Sequence, residues 1–299
     1  MIAGVLLAAA MSTLVPATHA AGAETITRRG YVDGPYGQIH YHSAMPACGT
    51  GSRTPVVLFH QTPQSSNQFL KLTAALGTDR IAIAFDTPGY GSSDAPPRPA
   101  SMQEYTAAMA IALERLGYGP HGKGPVDVFG FHTGAFIASE LAVSRPDLVR
   151  RVGLGSVGYR PSAQDLADSY QQYVASRDAP IADYAAHIAR RWKMAVTDRP
   201  ADVPLEEGAL FFFDMTRPLN RYWWAWHGVF TYDARAQLPK IRQPTLLIAV
   251  DDNELEYTRA TRHDLLPDAR YVELLELGPG NPTGKPAFVK ALRDWYDAP

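Results

Sequence analysis

Seven short apolar runs, GQIHYHSA, TPVVLFHQ, RIAIAFDT, PVDVFGF, VRRVGLGSV, PTLLIAVDD and ARYVELLEL, recur along the chain with helix-forming stretches between them. Most of these runs are apolar on consecutive residues rather than on alternate ones, so their side chains are to be buried on both faces of a sheet. That requirement points to a mostly parallel sheet covered by helices on each side, an α/β architecture. Only the first run alternates, which places it in an antiparallel pair at the sheet's edge, taking His40 and His42 with it. At 299 residues with 46% hydrophobic and 19% charged, the chain has enough apolar material for one large core.

Among the intervening stretches, SMQEYTAAMAIALERLG carries Ser101 and Glu104 at capping-box spacing and Gly117 as a stop. KPAFVKALRDWYDA places Phe288, Leu292 and Trp295 at helical spacing and docks the C-terminus. From Tyr159 to Leu238 the strand rhythm is lost and Tyr-, Trp- and charge-rich helical segments take over, IADYAAHIARRWKMAV among them. This reads as a helical insertion. The sheet resumes at LPKIRQPTLLIAV, where Pro239 and Pro244 punctuate the return. The expected organisation is a core over 30–158 and 239–298 with an insertion over 159–238.

The first residues, MIAGVLLAAAMSTLVPATHAAGAE, combine an apolar stretch with small residues at Thr18 and Ala20. They read as a cleavable secretory leader over residues 1–20, although no Lys or Arg precedes Arg28. A secreted or periplasmic location follows as an expectation. The apolar stretch falls short of the roughly 20 residues that a membrane-spanning helix needs, so no integral membrane segment is expected in the mature chain. The single cysteine, Cys48, cannot form an internal disulfide. A formal net charge of -2 leaves no basic footprint for nucleic acid, and the expected partner is a small-molecule substrate. A homo-oligomer is compatible with everything in the sequence.

Four motifs occur in a telling order: FHQTPQSS, FDTPGYGSSD, GFHTGA and VDD, each at the end of an apolar run. In order and spacing they resemble the α/β-hydrolase fold, over about residues 30–298. The resemblance implies an eight-stranded, mostly parallel sheet flanked by helices, with the 159–238 insertion as a helical cap. It also assigns roles. The strand-turn-helix GFHTGA is the nucleophile elbow, with Gly130 and Gly134 relieving the tight turn and His132 at the nucleophile position. Oxyanion donors would be the backbone N–H groups of Thr133 and Gln61, with His60 matching the histidine that often precedes the latter. The acid position falls on Asp252.

The chain departs from that family twice. Its elbow holds His132 where a serine is usual, and LGPGNPTGKP, where the relay histidine belongs, contains none, Asn281 being the nearest occupant. A serine nucleophile relayed through a histidine is therefore unavailable. Ser93, Ser139 and Ser156 all lie off the elbow. His132 can instead act as a general base toward water or a substrate C–H, or attack as a nitrogen nucleophile, with Asp252 orienting it. The bland alternative is an imidazole that only plugs a dead elbow.

His227, within NRYWWAWHGVFTYD, is a second candidate base, and Trp223 beside it a candidate substrate contact; a Trp-rich stretch is otherwise cap core. His187 reads as solvated on a charged helical face. No histidine has metal-ligand spacing with Cys, Asp or Glu, so neither a metal site nor a cofactor is expected. DTPGYGSSD lacks the Gly-Lys-Ser/Thr ending of a phosphate loop, and GLGSVGYR has the wrong spacing for a dinucleotide fingerprint. Two functional readings remain: an enzyme acting on a small, largely apolar substrate by hydrolysis or base-promoted cleavage at His132, and a non-catalytic ligand-binding relative.

Overall fold

The computed structural model describes residues 25–49, 51–178, 180–278 and 280–299. The expected leader over 1–20 lies outside the described residues. The strands are β1 (Thr25–Gly34), β2 (Gly37–Pro46), β3 (Val56–Phe59), β4 (Ala82–Phe85), β5 (Val126–Phe131), β6 (Val149–Gly155), β7 (Thr245–Val250) and β8 (Arg270–Leu274). They form one eight-stranded sheet in the order β1-β2-β4-β3-β5-β6-β7-β8. β1 and β2 pair antiparallel, β2 meets β4 antiparallel, and every pair from β4 through β8 is parallel. β1, TITRRGYVDG, is a strand that the apolar runs do not announce. Its burial pattern is mostly exposed because it is the true edge, held by a ten-residue register with β2. The expected edge strand is thus one place further in, and His40 is buried in a 2.8 Å contact with Asp86 rather than lying at the margin.

The helices are α1 (Leu70–Leu76), α2 (Met102–Arg115), α3 (Thr133–Ser144), α4 (Ala163–Tyr173), α5 (Tyr184–Trp192), α6 (Leu205–Thr216), α7 (Trp224–Thr231), α8 (Ala234–Gln237), α9 (Leu255–Asp264) and α10 (Pro286–Tyr296). In the inner strands successive residues feed opposite cores. Val57, Phe59, Val128 and Leu154 pack with α2 and α3, while Val56, Leu58, Phe129 and Ile248 pack with α1 and α10. This two-sided burial accounts for the unbroken apolar runs. The capping box at Ser101 and Glu104 starts α2, and Gly117 follows its end at φ +86°. On α10 the deepest anchors are Phe288, Leu292 and Tyr296, with Trp295 only partly buried and donating its indole N–H to the Val152 carbonyl.

Between β6 and β7 the chain is helical, α4 to α8, with a π-turn over Lys193–Thr197. α7 contributes Ala225, Val229 and Phe230, and its N-cap Trp223, to the core on the α3 side of the sheet. The insert therefore packs on the edge where the parallel strands end, which is where open α/β sheets carry their ligand sites.

Candidate active site

The turn from β5 into α3 is built around two glycines whose neighbours leave no room for a side chain. A Cβ on Gly130 would stand 1.9 Å from the Gly134 carbonyl oxygen, and one on Gly134 would stand 1.9 Å from that of Phe59. This close approach forces the intervening residue into a strained conformation. His132 has φ 48° and ψ -114°, and its N–H is held by the Gly155 carbonyl at 2.9 Å. Backbone strain of this kind persists only where the surroundings over-determine it. Its effect is to lift the imidazole off the sheet while leaving Thr133 N–H at the head of α3, where no intrahelical acceptor exists.

His132 Nε2 lies 2.9 Å from Asp252 Oδ2, and the two side chains are 21% and 20% exposed. Asp252 sits just past β7, fixed by its Oδ1 accepting the Glu254 N–H at 2.8 Å. Burial raises the Asp252 carboxyl, but the hydrogen bond and charge of His132 outweigh it, so the group is held below the usual carboxylate range. An ionised Asp252 can only accept, so His132 Nε2 carries a proton. Asp252 therefore reaches the elbow residue directly, with no third side chain between them.

The cavity beside His132 has a volume of about 260 Å³. Thr133, Ser156 and Asn253 border it from the core, and Phe136, Tyr173, Trp226, Val229 and Phe230 give it an apolar, largely aromatic wall. Ser156, with φ +47°, is the one of the three off-elbow serines that reaches this lining; the Ser93 and Ser139 hydroxyls donate to the Asp86 and Ala135 carbonyls. Arg160 also borders the cavity, and its guanidinium is consumed by Glu254 at 2.5 and 2.9 Å, Ser169 at 2.9 Å and the Gly158 carbonyl at 3.0 Å. It ties α4 to the core rather than awaiting a ligand.

The loop after β3 is more occupied than the sequence suggests. His60, 1% exposed, accepts the Thr87 N–H on Nε2 at 2.9 Å and so must donate from Nδ1 to the Gln61 carbonyl at 2.8 Å. Burial lowers the His60 pKa, consistent with a neutral ring holding two backbone segments together. The Gln61 N–H, expected as an oxyanion donor, is taken by Gln68 Oε1 at 2.9 Å. Asn281 donates its Nδ2 to the Gln68 carbonyl and caps the following turn through Thr283. Asn281, expected near the relay position, thus anchors the residue that covers the Gln61 N–H. Nothing in the sequence marks Gln68 for that task.

The other two nominated residues lie elsewhere. His227 is held by Tyr170, Nδ1 to hydroxyl at 3.2 Å, and burial lowers its pKa; it is not among the residues bordering the His132 cavity. Trp223 is buried within the helical insert, and its neighbour Trp226 is the tryptophan that reaches the cavity. His187 is half-buried against Tyr184 and Tyr222. Among the described residues no group of three His, Cys, Asp or Glu side chains is arranged to hold a metal ion.

The sequence profile of the alpha/beta hydrolase fold matches residues 54–274, which contain the elbow, the Asp252 loop and the insert. The chain belongs to this family. Among α/β hydrolases it is similar to "Putative carbamate hydrolase RutD" of Pseudomonas savastanoi pv. phaseolicola, 29% identical over 244 residues, covering 78% of this chain and 90% of that one. It is also similar to the poly(3-hydroxyalkanoate) depolymerase of Ectopseudomonas oleovorans, 26% identical over 213 residues, covering 68% and 69%. In three dimensions the enol-lactonase of Burkholderia xenovorans superposes with a TM-score of 0.70 at 19% identity, over 90% of this chain and all of that one, a likeness of fold.

Proposed function

We propose that this α/β hydrolase cleaves a small, largely apolar substrate by hydrolysis, with His132 as general base and Asp252 as the group that orients it. The observation that carries the reading is the 2.9 Å contact from His132 Nε2 to Asp252 Oδ2 on a strained elbow bordering an aromatic-walled cavity. In this arrangement Nδ1 takes a proton from a water molecule as the water oxygen bonds to the substrate's carbonyl carbon. The resulting imidazolium is stabilised by the Asp252 carboxylate. The same proton then passes to the leaving group as its bond to carbon breaks, so His132 returns to its starting form. Thr133 N–H faces the developing oxyanion. The hydrolytic names of the carbamate hydrolase and depolymerase relatives support hydrolysis as the reaction class.

The test is turnover of short-chain nitrophenyl esters by the purified protein, its His132→Ala variant and its Asp252→Asn variant. Saturable hydrolysis that falls about 10²- to 10⁴-fold in His132→Ala is the expected result for a lost general base. Asp252→Asn should fall in the same direction, because the wrong tautomer of His132 is then free to form. Undiminished hydrolysis by His132→Ala refutes the assignment.

A further inference from the structure

A second cavity, of about 310 Å³, lies between α6 of the insert and the loop after β3. Its chemistry differs from that of the cavity beside His132. Five carboxamide side chains border it, those of Gln61, Gln64, Asn67, Gln68 and Asn281, and only Gln61 is shared with the His132 cavity. Asn67, Gln68 and Asn281 are engaged with Asp214, the Gln61 N–H and the Gln68 carbonyl respectively. Gln64 is not. Its residue is 9% exposed, and its carboxamide makes no hydrogen bond among the described residues although it borders the cavity. Its polar atoms bond no protein group among the described residues and are open to the cavity, which leaves both Oε1 and Nε2 free to bond a ligand there.

The charges around the cavity cancel. Arg199 is tethered by Nε to the Val203 carbonyl at 3.0 Å and by Nη1 to the Val196 carbonyl at 2.8 Å, leaving Nη2 without a partner among the described residues. Asp214 accepts the Ser65 hydroxyl at 2.7 Å and the Asn67 amide at 3.1 Å, and Glu207 is paired with Lys71 at 2.6 Å. The lining itself holds one cation, Arg199, and two carboxylates, and Glu207 is paired with Lys71 outside the cavity, a balance that favours neither an anion nor a cation. Val203, Leu210 and Phe211 supply an apolar side. We infer that this cavity is a separate ligand subsite for a neutral molecule with a carboxamide or ureido head on a short apolar body, recognised by the Gln64 carboxamide through paired donor and acceptor bonds with Arg199 Nη2 donating to the ligand carbonyl. An amide head matches Gln64 in both directions, offering its own N–H to Oε1 and its oxygen to Nε2. The subsite stands apart from the reading of His132 as a base, because His132 does not border it.

Hexanamide is the probe, titrated calorimetrically into the full chain near neutral pH, with hexanoate as the charged counterpart of the same apolar body. The expected result is saturable hexanamide binding that exceeds hexanoate binding. It should weaken about tenfold or more in Gln64→Leu, the loss of one or two neutral hydrogen bonds. Leu210→Trp fills the cavity from α6 without touching the β3 loop and should abolish binding, which keeps the test decisive if Gln64→Leu folds poorly. His132→Ala should bind hexanamide as the parent does, whatever its effect on ester hydrolysis. Absent saturable binding, tighter binding of hexanoate, indifference to both cavity substitutions, or loss in His132→Ala each overturns the inference.

Discussion

Gln68 stands between two positions that are catalytic in a serine hydrolase of this fold: its Oε1 takes the Gln61 N–H at 2.9 Å, and its carbonyl receives the Asn281 carboxamide. One residue thus ties the backbone of Gln61 to the loop that carries Asn281. Replacing Gln68 by Leu keeps the volume and removes the acceptor, which frees the Gln61 N–H for a substrate oxyanion. Ester hydrolysis at His132 should then rise in kcat, by up to the roughly 10²-fold that one oxyanion donor supplies. A fall in kcat on a folded Gln68→Leu protein would show instead that the Gln68 side chain belongs to the working site.

The elbow glycines give a prediction that separates crowding from backbone preference. A Cβ at Gly134 would collide with the Phe59 backbone, at 1.9 Å from its oxygen and 2.4 Å from its carbon. Gly124, at φ +82°, has nothing within 4 Å of the same position. Gly124→Ala should therefore lose only about 1 kcal/mol, the cost of placing a side chain on a left-handed backbone. Gly134→Ala should lose at least about 3 kcal/mol or fail to fold, because β3 and α3 must separate. Chemical denaturation of both variants checks the ordering, and equal losses would contradict the steric account.

Two buried carboxylates should bend the pH dependence of stability in opposite directions. Burial alone would raise Asp86, but the hydrogen bonds from His40, Ser66 and Ser92 bring it down to about 2 from an unfolded value near 3.8. Its folded value is depressed, so its contribution of about 2 kcal/mol is present above pH ~4 and lost as the pH falls through ~2. Asp214 is raised to about 6, chiefly by burial and then by the charge of Asp86, against the hydrogen bonds of Ser65 and Asn67. It contributes most below pH ~4, where it is protonated in both states, and that advantage is lost as the pH rises through ~6. Asp86→Asn should therefore flatten the acid limb of a stability profile, and Asp214→Asn should stabilise more at pH 7.5 than at pH 4. Urea melts across this range measure both slopes.

Much of this architecture can be read from the chain because it depends on local pattern. The unbroken apolar runs mark strands buried on both faces, and the Gly-Xaa-His-Xaa-Gly spacing marks a tight turn, whereas the placing of His132 at the elbow and of Asp252 past β7 follows from the resemblance of the motif order to the α/β-hydrolase fold. What escaped depends on distant segments meeting. Gln68 and Asn281 are 213 residues apart, Asn67 and Asp214 147. Each is an ordinary polar residue whose role exists only once α6 or the loop after β8 meets the β3 loop. β1 escaped for another reason: an exposed edge strand has no apolar periodicity to show, and its pairing with β2 is a backbone property.

The joint between insert and core rests on Arg160. Its guanidinium, almost wholly buried, meets Glu254 in a two-pronged pair at 2.5 and 2.9 Å, donates to Ser169 of α4 at 2.9 Å, and stacks 3.8 Å from the Tyr257 ring centroid. Glu254 is in turn adjacent to the Asp252 loop, since its own N–H holds Asp252 Oδ1. Removing one partner leaves the other charge buried and uncompensated, at a cost of roughly 3–5 kcal/mol, whereas replacing both by apolar residues of similar size is far milder. Arg160→Met and Glu254→Leu should each destabilise strongly, and the double variant should recover most of the loss. If hydrolysis at His132 is governed by the Asp252 loop, the double variant should recover stability yet keep a reduced kcat, because the Glu254 side chain that steadies that loop through Arg160 remains absent. Denaturation and steady-state kinetics on the same three proteins decide it, and a double variant with full kcat would confine Arg160 and Glu254 to holding α4 in place.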